Sequence, residues 1–285
     1  MNKQINFLCG LPRAGNTLFS SILNQNPKIG VTAHSVVEEV CKGMELLKND
    51  IKIKNFPYYD SFDNMCSNVM NSYYQNWDYD YIIDRGNWGS PESLNFLKNY
   101  LGQEIKIIVL VRDVHEILAS LLKHSHEQSD SFVNTVKIDI GGTKSPVFLS
   151  SDEQKCDMLM GHGGMIPKIL SAISNLMQSF FNNIHIVEYD NLVNNPKQTI
   201  DRVYEFLNIP SFKHNFKKFE QFSIQGQYYD DSIVGRNLHI IKETSLSKTK
   251  HKPLPQNILN KYSNLNFWRK IDNTLIRKHK WHLAR

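Results

Sequence analysis

The stretch Gly10-Leu11-Pro12-Arg13-Ala14-Gly15-Asn16-Thr17 constrains this chain more than any other. Before it, Gln4 to Cys9 reads as a short buried strand. After it, an apolar stripe of Leu18, Ile22 and Leu23 reads as a helix from about Asn16 to Asn26, stopped by Pro27. Strand, glycine loop and helix in that order have the spacing of a phosphate-binding loop, G-x4-G-K-[ST], with Asn16 in the lysine position. Backbone N–H groups and the helix N-terminus still form an anion cradle. The loop's positive charge has moved inward to Arg13, whose guanidinium can grip two oxygens at once.

The remaining pattern extends this unit. Strands are predicted at Tyr81–Ile83, Ile105–Val111 and Ile184–Glu188. Helices are predicted at Ser35–Lys48, with a capping box from Ser35 and Glu38, and at Ser90–Leu101, Asp113–His124 and Pro196–Leu207. Alternating strands and helices imply an α/β fold: an open parallel sheet flanked by helices, of the P-loop NTPase-like kind, within one domain spanning 1–285. The segments after Cys9, Ile83, Val111 and Val187 then converge on the carboxyl edge, where such sheets bind ligands. Three stretches fit this scheme less simply. Residues 50–80 are rich in aromatics, 127–151 read as a polar loop with Gly141-Gly142, and 152–181 read as one long or two shorter amphipathic helices broken around Gly161 to Pro167.

Chemistry narrows the ligand. ATP-hydrolysing loops use the lysine and a Mg²⁺ to neutralise a highly charged γ-phosphate. A sulfuryl group carries less charge, so a lysine-free loop suits a nucleotide donor other than ATP, and no metal is expected. Arg112 stands where a buried strand ends at the ligand edge, and Ser120 lies two helical turns further on.

The chain resembles the PAPS-dependent sulfotransferases, closest to the bacterial-type family whose first loop reads GLPRSGSTLL. It is also similar in motif order to the tyrosylprotein sulfotransferases. The matching stretches are GLPRAGNTLFSSILNQNP, VLVRDVHEILAS with Arg112 and Ser120, VEYDNLVNNP with Tyr189, and Lys252-Pro253 near the C-terminus. The resemblance implies transfer of the sulfuryl group from 3′-phosphoadenylyl sulfate (PAPS) to a hydroxyl or amine, releasing PAP. It implies that Arg13, Ala14, Gly15, Asn16 and Thr17 hold the 5′ end of the donor, that Arg112 and Ser120 hold its 3′-phosphate, with His124 one turn beyond Ser120 also within reach of it, and that Tyr189, His239, Lys242 and Lys252 close over the nucleotide. Arg85 matches the position of a lysine that contacts the leaving oxygen. Counting seven residues from Pro27, the family's glutamate base falls on His34 here, with Glu38, Glu39 and Asp84 as rivals. Asn87 stands near the place of a catalytic histidine in the cytosolic members.

Charge sharpens part of this. The net charge is +5, but residues 240–285 hold 11 of the 33 basic residues and two of the 28 acidic ones, leaving 22 basic and 26 acidic residues in 1–239. The body is therefore slightly acidic. Residues 238–252, within a C-terminal segment of about 235–255, are expected over the nucleotide, and residues 261–285 as a solvated helix. The basic residues are too dispersed for nucleic-acid binding. No apolar run approaches the roughly 18 residues of a membrane span. Without a secretory leader pattern, and with Cys9, Cys41, Cys66 and Cys156 scattered, a reducing cytoplasm is expected. The acceptor class stays open between glycan, small molecule and peptide; the aromatics of 50–80 and the Gln225–Asp231 stretch are candidate walls of its pocket. The oligomeric state is also open, a homodimer among the options. A kinase or NTPase on the same fold, and a non-catalytic PAP-binding protein, are the alternatives.

Overall fold

The computed structural model describes residues 3–54, 59–133, 151–161, 163–221, 223–232, 241, 246 and 251–270. Five parallel strands form one sheet: β1 (Gln4–Gly10), β2 (Ile29–Val31), β3 (Tyr81–Arg85), β4 (Ile107–Val111) and β5 (Ile184–Glu188), in the order β2-β3-β1-β4-β5. This is the expected α/β architecture. The sheet's centre is continuous apolar sequence because helices cover both faces; every residue of β4 is buried. On one face Phe7 of β1 packs on Trp88, ring centroids 4.6 Å apart. On the other, Gln4 Nε2 reaches the Leu207 carbonyl at 2.8 Å.

The helices are α1 (Asn16–Leu23), α2 (Val36–Lys48), α3 (Ile51–Lys54), α4 (Tyr59–Tyr74), α5 (Pro91–Tyr100), α6 (Val114–Glu127), α7 (Asp152–Met160), α8 (Met165–Ser179), α9 (Tyr189–Asn194), α10 (Pro196–Leu207) and α11 (Gln256–Lys261). Local chemistry explains several ends. Ser35, Ser90 and Ser151 cap α2, α5 and α7 through their hydroxyls. Only half of the expected box at Ser35 forms: Ser35 Oγ accepts from the Glu38 amide at 2.8 Å, while the Glu38 carboxylate takes a bond from Ser93 instead. Gly161 and Gly164 separate α7 from α8, so the long amphipathic stretch is two helices.

Two elements escape sequence periodicity. β2 is three residues long, and its Gly30 is required by Tyr79: a Cβ there would lie 2.5 Å from the ring. Much of the aromatic-rich stretch is helix α4, whose Tyr74 is buried and donates to Asp84. Residues 134–150, including Gly141-Gly142, lie outside the described residues.

Sheet burial has a pH consequence. His185 of β5 stacks on Phe206 at 5.4 Å, and burial, with Arg202 adding to it, pushes its imidazole down to about 4. The unfolded chain takes up that proton near about pH 6.5, the folded chain only near the lower value, so folding stability drains away as pH falls through this window. His185→Phe is expected to remove a loss on the order of 2 kcal/mol between pH 7 and 4.5. Urea midpoints of both proteins at the two pH values check this; parallel shifts would show that His185 contributes nothing.

Candidate active site

The loop after β1 is shaped by two left-handed residues, Arg13 (φ 60°) and Gly15 (φ 83°). Gly15 is doubly constrained, because a Cβ there would sit 2.7 Å from Tyr189 Cδ2. Asn16, in the lysine position, is buried and turns back: its Nδ2 donates to the Leu11 carbonyl at 2.7 Å, tying the first residue of α1 across the loop. Asparagine here closes the loop and does not reach out of it. The N-terminal amides of α1 lack helical acceptors and carry the positive end of its dipole.

Arg112 follows directly on β4 and is 94% buried, its exposure being 6%. Its Nη1 donates to the Arg13 carbonyl at 3.0 Å and its Nη2 to Glu116 Oε2 at 2.9 Å. The guanidinium lies 4.4 Å from the Tyr189 ring centroid. Its Nε is buried without a partner among the described residues. Arg13 Nε donates to Ser120 Oγ at 3.0 Å. Arg112 and Ser120 are thus joined through Arg13, which accepts from one and donates to the other. Burial lowers the Arg13 guanidinium, and the Arg112 charge beside it lowers it further. Two guanidiniums held together at the edge of a sheet concentrate positive charge there, offset in part by the Glu116 carboxylate bonded to Arg112. His124, one turn beyond Ser120, has its Nε2 3.1 Å from Ser131 Oγ; burial and then Arg13 push it below the ordinary histidine value.

At the end of β3, Arg85 is half-buried, and burial pulls its guanidinium down to about 10, partly opposed by Tyr229. Its side chain makes no hydrogen bond or ion pair among the described residues, while its amide donates to Thr32 Oγ1 at 2.6 Å. His34 is exposed in the turn before α2. Its rivals differ. Asp84 is fully buried, with Trp88 Nε1 on one oxygen at 2.8 Å and Tyr74 on the other, and burial raises it. Glu38 is buried against Ser93, and burial raises it too. Glu39 is exposed. Of the Gln225–Asp231 stretch, Tyr228 is exposed, Tyr229 acts on Arg85, and Asp231 is buried and acts on His124.

A profile of the sulfotransferase domain family matches residues 4–285. This chain belongs to that family. Among solved structures, the sulfotransferase is similar to mouse SULT7A1, a sulfotransferase crystallised with PAP: 12% identity, TM-score 0.52, 98% of this chain and 89% of that one covered. It is also similar to the sulfotransferase domain of the curacin biosynthetic pathway, at 16% identity and TM-score 0.47 over 93% and 92% of the two chains. A sulfotransferase from Alicyclobacillus acidocaldarius is similar at 10% identity and TM-score 0.45 over 75% and 85%. No curated protein sequence matches the chain.

Within the sulfotransferase, Arg13, Ala14, Gly15, Asn16, Arg112, Ser120 and Tyr189 form one neighbourhood, with Thr17 on the first turn of α1. His239 and Lys242 lie outside the described residues. Lys252 is exposed, and the residue before it, His251, is the one that touches Arg112: its Nε2 lies 3.3 Å from Arg112 Nη2. Sequence reasoning passed over His251 because the family likeness pointed at the lysine; its position next to Lys252-Pro253 was the available signal.

The expectation of a solvated helix from residue 261 needs correcting for its described part. Lys261 Nζ bonds Asp157 at 2.7 Å. Arg269 pairs with Asp113 at 3.0 Å and Glu188 at 3.1 Å, and Asn266 donates to Asp113 Oδ2 at 2.7 Å. These acids stand on α7 and at the ends of β4 and β5, so the basic end is drawn onto the carboxyl edge by charge. Residues 271–285 lie outside the described residues. Among the described residues no helix is long and apolar enough to cross a membrane, and no group of three or more His, Cys, Asp or Glu side chains could hold a metal ion.

Proposed function

We propose that this sulfotransferase uses PAPS as donor and moves its sulfuryl group in line onto a hydroxyl or amine, releasing PAP. The observation that carries the reading is the pair Arg13 and Arg112, held together at a lysine-free phosphate loop. The loop amides of Ala14 to Thr17 and Arg13 bind the 5′-phosphosulfate. Arg112 and Ser120 take the 3′-phosphate, a group that ATP and ADP lack. Arg85, a cation without an acid partner among the described residues, stabilises the bridging oxygen as the S–O bond to the nucleotide breaks. The acceptor oxygen or nitrogen bonds to sulfur, and its proton passes to a base. The four buried, unpaired cysteines are in keeping with a reducing cytoplasm, where we place the enzyme.

Calorimetry tests the donor. PAP is expected to bind without metal, and ADP at least about tenfold more weakly. Equal affinities would remove the 3′-phosphate role from Arg112.

We assign the base to His34, since the oxygens of Asp84 are both occupied and Glu38 is buried on Ser93. His34→Ala should lower kcat by about 100-fold at saturating donor. Glu38→Ala should lower thermal stability more than kcat. An unchanged rate in His34→Ala returns that residue to the surface and moves the role elsewhere.

A further inference from the structure

We infer that His251 is a ligand of the anion seated at Arg112, and that nucleotide binding at this site is coupled to proton uptake by its imidazole. The inference rests on the PAP-binding reading above and adds the residue and the proton to it. Its ground is geometric. Arg112 Nη2 can only donate, so His251 Nε2, 3.3 Å away, is the acceptor of that contact. The ring proton of the neutral imidazole therefore sits on Nδ1. That atom is buried and has no partner among the described residues, and neither has Arg112 Nε. Two side chains in contact, Arg112 just after β4 and His251 in the segment before α11, thus each keep one buried donor without a partner among the described residues. Buried orphan donors are costly, and a phosphate oxygen satisfies them.

The charges facing the ring among the described residues explain the proton. Arg112 at the end of β4, Arg13 in the loop and Lys123 on α6 oppose protonation, whereas Glu116 on α6 favours it. Burial is the largest influence, and the imidazole is held below its ordinary value. In the free protein it is neutral at pH 7. A bound phosphate dianion adds negative charge beside it and raises that value; the added proton goes to Nε2, which then gives up its bond from Arg112 Nη2 while Nδ1–H donates to the phosphate. The complex then gains affinity as pH falls through the bound-state value, and the gain ends at the free-state value. The phosphate monoester itself titrates near about 6 and works in the opposite sense, but equally in any variant.

Calorimetry of PAP at pH 7 in two buffers of different ionisation enthalpy counts the protons. The wild type should take up a measurable fraction of a proton per PAP bound. His251→Gln, which keeps a donor but cannot be protonated, should take up none and bind PAP about tenfold more weakly. ADP should bind without uptake in either protein. In the wild type, ring NMR should show one histidine, absent from the spectrum of His251→Gln, whose midpoint rises by about one pH unit or more on adding PAP. Equal proton counts and affinities in the two proteins, or a histidine midpoint that does not move, overturn the inference while leaving the donor reading intact. Failure of the wild type to bind PAP at all overturns the donor reading and this inference with it.

Discussion

Arg112→Ala weakens PAP binding by at least about thirtyfold, while ADP binding changes much less. The magnitude follows from losing a charge-assisted contact of about 2 kcal/mol in a buried site. The substitution also leaves the Arg13 carbonyl without its donor and uncovers one face of Tyr189. Arg112→Lys separates charge from shape. A lysine keeps the positive charge, but it cannot serve the Arg13 carbonyl, Glu116 and a phosphate in one plane, so it recovers only part of the loss. Titrations of each variant with PAP and ADP, beside thermal melts, decide the matter. An equal loss for PAP and ADP would mean that Arg112 supports the loop and does not read the 3′ group.

Gly15→Ala costs the protein both stability and donor binding. Its φ of 83° lies where a Cβ is strained by about 1–2 kcal/mol, and the new methyl would meet Tyr189 Cδ2 at 2.7 Å. Displacing the ring disturbs its contact with Arg112, whose guanidinium lies 4.4 Å from its centroid. A Tm lower by about 5 °C is expected, with PAP affinity reduced at least about tenfold. Gly43→Ala is the matched control: nothing lies within 4 Å of a Cβ there, and it sits within α2. That variant should gain up to about 1 kcal/mol of stability with PAP binding unchanged. If Gly15→Ala behaved like Gly43→Ala, Tyr189 would not be a fixed part of the donor site.

Both predictions concern residues visible in the sequence, and the reason is local. A strand, a glycine loop and a helix in succession specify their own geometry through backbone sterics and dipoles, so Gly10 to Thr17 announced an anion site unaided. Arg112 was legible because a five-residue apolar strand followed by Arg-Asp can end only at the sheet edge. The register then aligned Gly10 with Leu110 and Leu110 with Val187, bringing the loop, Arg112 and Tyr189 to one place. Other features were illegible for equally physical reasons. Strand β2 is too short for periodicity to register. Glu38 had a sequence signature for capping, yet Ser93, 55 residues away, captured its carboxylate.

The sequence by itself therefore determined the α/β architecture, the phosphate loop and the cation that replaces its lysine, because these depend on neighbours a few residues apart. Only the tertiary structure decided which side chains share the pocket. It joined Ser120 to Arg112 through Arg13, placed His251 and not Lys252 against Arg112, and drew Arg269 onto Asp113 and Glu188. Those contacts join residues up to 156 positions apart. Their geometry is set by how the sheet and its helices pack, and no pattern along the chain encodes it directly.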